Sequence, residues 1–470
     1  MRRPLLALLL ALTLPAPAPA ADSVPSGPVA GLALVEDGAV WVRPTGAAAG
    51  VVVMGGRPDG TMRPLVRSGF NYNALSSNGS VATFTAFRGI WAGTIGAGMQ
   101  PVDLTPVACH PDKAEVGRDV MAVAFFCGSR YHVLVRRPSG EERLFPSASG
   151  AVEVAGPYVA WTIEGGQREG GIVVLYDAVA DREVLRAGAV DGPRLDAIGL
   201  QPDGKLLVAV DRLMAPDLRA GEDTAWLSPA EPGLHRLGIR PEIVRGFVRD
   251  RVLTLTAETS AAFEPAPRPL GRTRVGLAGL DGSRRVLAST HGGARISYAD
   301  YDGARVALAA MTCDGTRILL RSAAEPPLTL AEDGLCPLEV RGPVVVDFGT
   351  DRSSESRFVP RARVRVRCAA WTLRPCGHLV LRTLDGQQLS LKAYSFRRDG
   401  TFSLTLDDDA ARRIARDGSL AVRLEMRGNR DPAVLVQRHA TARLRMEPRD
   451  LARLRRCVSV QRRPGRACPA

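Results

Sequence analysis

The chain has 470 residues, 45% hydrophobic and 5% aromatic, with 62 basic against 49 acidic residues and a formal charge of +13. Such a hydrophobic share excludes a disordered chain, and the length exceeds that of one ordinary domain. Only Lys113, Lys205 and Lys392 are lysines, so arginine carries the basic balance, which suits an anionic partner or, more plainly, a solvated exterior.

Residues 1–20 read as a secretory signal. Arg2-Arg3 is a positive start, Leu5–Leu14 is an apolar run, and Ala18-Pro19-Ala20 is a small-residue cleavage site. The run is about half the length of a membrane-spanning helix. The mature chain is therefore expected to be secreted or extracytoplasmic, at the cell envelope, and this argues against nucleic acid as a partner.

From residue 28 to 340, short runs rich in Val, Leu, Ile and aromatics alternate with turn residues such as Pro58-Asp59-Gly60, Asn78-Gly79, Pro202-Asp203-Gly204 and Asp302-Gly303. Glycine accepts the positive φ of tight turns, and Asp or Asn bonds the backbone that opens them. Helical periodicity is nearly absent, so the class is all-β. A Val-Ala-type pair marks seven units: Val29-Ala30, Val81-Ala82, Val123-Ala124, Val159-Ala160, Val208-Ala209, Val252-Leu253 and Val306-Ala307. Each interval holds roughly four strands, the size of a propeller blade. A β-propeller of seven blades is expected, within a range of six to eight. The strands Val29–Glu36 and Ala39–Arg43 are expected to close the ring by supplying a strand to the last blade.

The segments Ala74–Phe87 (ALSSNGSVATFTAF), Ile198–Asp211 (IGLQPDGKLLVAVD) and Gly156–Asp177 resemble the repeat of TolB-type, WD40-like β-propellers. Ser77-Asn78 and Gln201 stand where that repeat has parts of Ser-Pro-Asp. The resemblance implies the architecture of residues 28–340. It is poor for function, because the repeat serves periplasmic scaffolds as well as sugar- and peptide-processing enzymes.

Residues 343–446 show clearer alternation and are expected to form a β-sandwich. Asp407–Asp417 is expected to be a short helix, with acids at its start and Gly418 at its stop. The stretch Arg363–Thr383 (RVRVRCAAWTLRPCGHLVLRT) resembles the Cys-containing opening strands of bacterial Ig-like modules of exported actinobacterial proteins. Arg361, Arg363, Arg365 and Arg367 fall on one strand face, a ladder that could touch an anionic envelope polymer or membrane surface. The plainer reading is a solvated face that blunts edge pairing. Residues 447–470 read as a basic tail, disordered apart from a small disulfide loop, whose Arg455, Arg456, Arg462 and Arg463 could make the same contact.

Eight cysteines fall into four close couples, and export favours structural disulfides. The simplest pairing is Cys109–Cys127, Cys313–Cys336, Cys368–Cys376 and Cys457–Cys468, one of about 105 connectivities. No Cys-x-x-Cys, no Gly-x-Ser-x-Gly and no closely spaced histidines occur, so neither a metal centre nor a linear catalytic motif is expected. No catalytic residue and no cofactor are assigned. The expected function is a non-catalytic scaffold binding a protein or envelope component through loops at one end of the propeller axis. The alternative is a propeller hydrolase or lyase acting on polysaccharide or peptide. Two carboxylates and an arginine at the channel mouth would favour the alternative; an apolar lining would oppose it.

Overall fold

A computed structural model describes residues 23–460, except 27–28, 45–49, 70–71, 105–108, 118, 164–170, 189–193, 212–222, 258–271, 293, 313–314, 333–335, 351–357, 367–376, 391–392, 396–400 and 428–437. The signal-like residues 1–20 lie outside this set. Among the described residues, seven antiparallel sheets follow one another from Gly31 to Ser322 as the blades, six of them four-stranded meanders and the seventh a three-stranded meander completed by Ser23–Ser26. Their innermost strands are Gly31–Val35, Tyr72–Ser77, His110–Val116, Val152–Ala155, Arg194–Leu200, Val244–Val248 and Arg295–Tyr301.

Six of the seven Val-Ala-type markers begin or lie in the second strand of a blade, as Val123-Ala124 does within Met121–Cys127. Val29-Ala30 instead precedes the inner strand of blade 1. Second strands sit between neighbouring blades, so both faces are buried. Ala122, Val123 and Ala124 are all fully enclosed, as are Ala307, Leu308 and Ala309. A strand covered on both faces reads as continuous apolar sequence. Alanine on such a face lets adjacent sheets approach.

Seven hydrophobic clusters fill the seven gaps between blades. The cluster of Leu32, Leu34 and Trp41 with Ala307, Ala309 and Ile318 joins blade 1 to blade 7 and completes the ring.

The closing strand is not the one expected. Ser23–Ser26 pairs with Gly315–Ser322, from Ser23 opposite Leu319 to Ser26 opposite Thr316, and forms the outer strand of blade 7. Gly31–Val35 and Gly38–Pro44 pair with each other and open blade 1. The reason is burial: all five residues of Gly31–Val35 are enclosed, which suits the inside of the ring and not its rim. Leu328–Glu332 runs parallel along the outer strand of blade 6, covering that edge.

Beyond the ring, strands hydrogen-bond in the order Ala393–Ser395, Gly377–Arg382, Ser419–Arg427, Arg438–Met446, Val344–Thr350, Phe358–Arg365 and Thr401–Thr405. Val344–Thr350 runs parallel to Arg438–Met446 and antiparallel to Phe358–Arg365, so it links two groups of strands. Val364, Phe402 and Leu404 from one group meet Leu379, Leu424 and Leu444 from the other in a single core. Inner faces packed in this way make a β-sandwich. Helix α1 (Asp408–Asp417) has the expected ends: Asp407 accepts a hydrogen bond from the Ala410 N–H at 2.7 Å, and Gly418 is left-handed at φ 74°.

The basic tail is ordered further than expected. Pro448–Val460 forms a second helix, α2. Leu451, Leu454 and Val458 repeat at helical spacing and pack on the sandwich core, with Leu454 buried. Arg455 donates to the Ala415 carbonyl at 2.7 Å, placing a cation at the C-terminal end of α1.

Candidate ligand-binding channel

The inner strand of every blade is an edge, with backbone groups facing the axis and no strand beyond it. Such groups need partners. Side chains of neighbouring blades supply several. Asp300 in blade 7 accepts from the Leu34 N–H of blade 1 at 2.7 Å, and Glu115 in blade 3 accepts from the Val154 N–H of blade 4 at 2.7 Å. Thr273 accepts from Ile296 N–H at 3.0 Å, and Thr83 donates to Ala114 O at 2.6 Å. These bonds tie one blade to the next at the innermost radius.

The inner strands enclose a cavity of about 1160 Å³ that takes lining from all seven blades. It lies toward the ends of those strands where they turn into the second strands. The turns at Asn78-Gly79, Gly156-Pro157, Gln201-Pro202 and Asp302 ring it.

Polar groups concentrate on one wall. Lys113 and Glu115 alternate with Ala114 and Val116 along the inner strand of blade 3, and Glu153 lies on the inner strand of blade 4. The Lys113 ammonium stands 2.8 Å from Glu115 and 2.7 Å from Glu153. Burial pushes the Lys113 ammonium down, but the two carboxylates outweigh it and hold its pKa above the ordinary value. Burial and the Glu115 charge push Glu153 up to about 7, against the pull of Lys113. Across the channel, burial raises Asp300 to about 6, although the Leu34 and Tyr301 N–H groups favour its charged form. Gln201 is 5% exposed, and its amide nitrogen lacks a hydrogen-bond partner among the described residues. Asp119, Asp302, Arg245 and Arg249 make up the rest of the charged lining.

Sequence reading missed Lys113, Glu115, Glu153 and Asp300. A usable signal existed: Glu115, Glu153 and Asp300 are each a charged residue flanked by apolar or aromatic residues just upstream of a Val-Ala marker, and Lys113 lies two residues before Glu115. Attention to the markers favoured the second strands and passed over the inner ones.

The residues singled out from sequence are placed elsewhere. Cys109 and Cys127 form a disulfide, with sulfurs 2.01 Å apart, joining the start of the inner strand of blade 3 to the end of the second. The couples Cys313–Cys336, Cys368–Cys376 and Cys457–Cys468 each involve side chains outside the described residues. Arg361, Arg363 and Arg365 alternate with buried Ala362, Val364 and Val366 as expected. Arg367, Arg462 and Arg463 lie outside the described residues, and Arg456 is exposed on α2. His110 stacks on Phe87 with ring centroids 4.0 Å apart. Trp41, Trp161 and Trp226 are buried, so tryptophan serves packing between sheets.

The chain is thus a seven-bladed β-propeller with a polar channel, followed by a β-sandwich. No protein-family model and no curated protein sequence matches it. Solved structures similar to it include the β-propeller domain of the Trilobed protease from Pyrococcus furiosus, at 13% identity and a TM-score of 0.44, matching 64% of this chain and 98% of that one. Pyrococcus horikoshii acylaminoacyl peptidase matches at 12% identity and a TM-score of 0.44, over 72% of this chain and 58% of that one. Polysaccharide lyase Uly1 matches at 9% identity and a TM-score of 0.39, over 65% of this chain and 90% of that one.

Proposed function

We propose that the protein is an exported, non-catalytic binding propeller of the cell envelope, holding a protein or envelope component over the end of the channel ringed by the turns into the second strands. The supporting observation is how the channel charges are used. Lys113 bridges Glu115 and Glu153, and Asp300 bonds backbone groups of two blades. These groups spend their charge on one another and on holding the ring together, while Gln201, at the cavity wall, has an amide nitrogen with no partner among the described residues. The TolB-type character of the repeat belongs to this reading. So does an Ig-like assignment of the sandwich, which the parallel pairing of Val344–Thr350 with Arg438–Met446 supports.

The test immobilises the mature protein and a Gln201→Trp variant, which fills the mouth, and exposes both to the envelope fraction of the source cell. A component retained by the wild type and lost by Gln201→Trp is expected. Equal retention by both, or none by either, would overturn the proposal.

A hydrolase or lyase acting on polysaccharide or peptide is the second reading, and the channel meets the condition set for it, with Glu115 and Glu153 lining the cavity together with Arg245 and Arg249. Glu153, raised to about 7 beside Glu115 and Lys113, is a carboxyl poised to exchange a proton near neutral pH. Turnover of a polysaccharide or peptide that disappears in Glu153→Gln, with the fold intact, would establish this reading over the first.

A further inference from the structure

The net charge of the molecule belongs to one part of it. Residues 343–470 hold 27 of the 62 basic residues and only 13 of the 49 acidic ones, a balance of +14. Residues 1–342 hold 35 basic and 36 acidic residues and are nearly neutral. A coding preference for arginine would act on both parts alike and does not account for the difference.

The sandwich gathers part of this charge on one face. Arg361, Arg363 and Arg365 project outward from one strand, and Arg443 and Arg445 from another, where they alternate with buried Leu444 and Met446. The register fixes their relation: Val345, on the strand between, is opposite both Arg363 and Arg445. Along each strand the guanidinium stems repeat at about 6.6–6.8 Å, and the two arginine rows stand about 10 Å apart at the backbone. Asp347 is the carboxylate on this face, and it pairs with Arg363 at 2.7 Å. Among the described residues no carboxylate pairs with Arg365, Arg443 or Arg445.

We propose that this face binds a linear polyanion, a polymer carrying phosphate-type oxyanions at intervals along its chain. Four features select that partner. The charges are spread in rows and do not converge, so a polymer can engage several at once while a single small anion cannot. Arginine forks onto oxyanion groups through paired N–H donors. Among the described residues the three strands of this face carry one acid, Asp347, itself paired with Arg363, and the adjoining Glu339 pairs with Arg341. An anionic membrane fits less well, because lasting interfacial attachment needs an apolar set to insert, and Val345 is the one large hydrophobic residue exposed there among the described residues. The proposal does not depend on the channel reading and can fail or hold separately from it.

The experiment titrates the full mature chain with fluorescently labelled long-chain inorganic polyphosphate, following anisotropy from 50 to 200 mM salt. Four phosphate contacts predict a log–log salt slope of roughly −3, a loss of about 50-fold across that range. The variant R363Q/R365Q/R443Q/R445Q is expected to bind at least tenfold more weakly at 100 mM salt, with a much shallower slope. A control, R67Q/R130Q/R272Q/R274Q, removes the same charge from exposed propeller positions and should bind within twofold of wild type. Orthophosphate at equal phosphate concentration should not compete.

Equal weakening by the two variants, or none by the first, would overturn the proposal. So would binding to 7:3 phosphatidylcholine–phosphatidylglycerol vesicles that the sandwich variant abolishes while polyphosphate binding persists. Single R445E, with one exposed residue reversed, repeats the test should the quadruple variant unfold, and is expected to weaken binding at least threefold.

Discussion

Asp300 lies at the seam where the last blade meets the first, and its titration should be felt by the whole ring. One carboxylate oxygen accepts from Leu34 N–H at 2.7 Å and the other from Tyr301 N–H at 2.8 Å. Its pKa is about 6 in the fold against 3.8 for the free group. Between those values the folded chain keeps a proton that the unfolded chain has released, so stability falls as pH rises from about 4 to 6 and is flat above about 7. A fully dry site would give about 3 kcal/mol. Asp300 keeps some surface open to the cavity, and screening there reduces the expected effect to about 1–2 kcal/mol.

The perturbation is Asp300→Asn, which cannot ionise and offers one carbonyl where Asp300 offered two oxygens. The assay is urea unfolding followed by tryptophan fluorescence at pH 5, 6, 7 and 7.5. Four of the five tryptophans, Trp41, Trp91, Trp161 and Trp226, lie in the propeller, so most of the signal reports on the ring. Loss of one hydrogen bond should leave the variant less stable at pH 5. The gap should then narrow by about 0.5–1 kcal/mol by pH 7.5, because part of the titration is already complete at pH 5. A gap that stays constant across the range would refute the reasoning, because Asp300 would then titrate alike in both states.

Lys113→Met removes the cation between Glu115 and Glu153 and should destabilise the propeller by about 1–3 kcal/mol at pH 8. Part of that loss should return at pH 5, as protonation of Glu153 relieves its repulsion with Glu115; the same unfolding assay reads it. Replacing Cys109 and Cys127 together by alanine removes a bridge between residues 18 apart and should cost about 3 kcal/mol, measured as a lower urea midpoint. Ala307→Leu places three carbons between blades 7 and 1 at a site with no free surface and should cost about 1–3 kcal/mol. Asp407→Ala removes the cap of α1 and should lower sandwich stability by about 1 kcal/mol, seen in the far-ultraviolet circular dichroism melt.

Architecture was legible in the sequence because a ring of blades repeats one physical requirement. Each second strand must be apolar on both faces and small enough for its neighbours, which writes Val-Ala at intervals along the chain. The cap and stop of α1 were legible for a similar reason: Asp407 and Gly418 act within one turn of the backbone. The closing strand was misread because Ser23–Ser26 carries no apolar alternation, and its pairing with Gly315–Ser322 is set by ring closure across almost 300 residues. Helix α2 was missed because its apolar stripe holds three residues among many arginines. The contact between channel groups was hidden for a third reason, although the groups themselves left a local signal. Lys113 and Glu153 are 40 residues apart and meet only because two inner strands lie side by side, a relation with no local trace.

The distribution of charge gives the two parts of the chain different responses to salt. The propeller carries nearly equal numbers of acids and bases, many held in short ion pairs such as Lys113 with its two glutamates. A ligand meeting Gln201 and the turns around it would therefore release few counterions, and its affinity should change little with ionic strength. The sandwich holds its excess charge on exposed arginines, where screening acts over about 10 Å at 0.1 M salt, so a polyanion there should dissociate steeply as salt rises. Washing a captured envelope fraction with rising salt thus separates the two sites. Material eluted by 200 mM salt and absent from the arginine variant belongs to the sandwich, and material that resists salt but is lost with Gln201→Trp belongs to the channel.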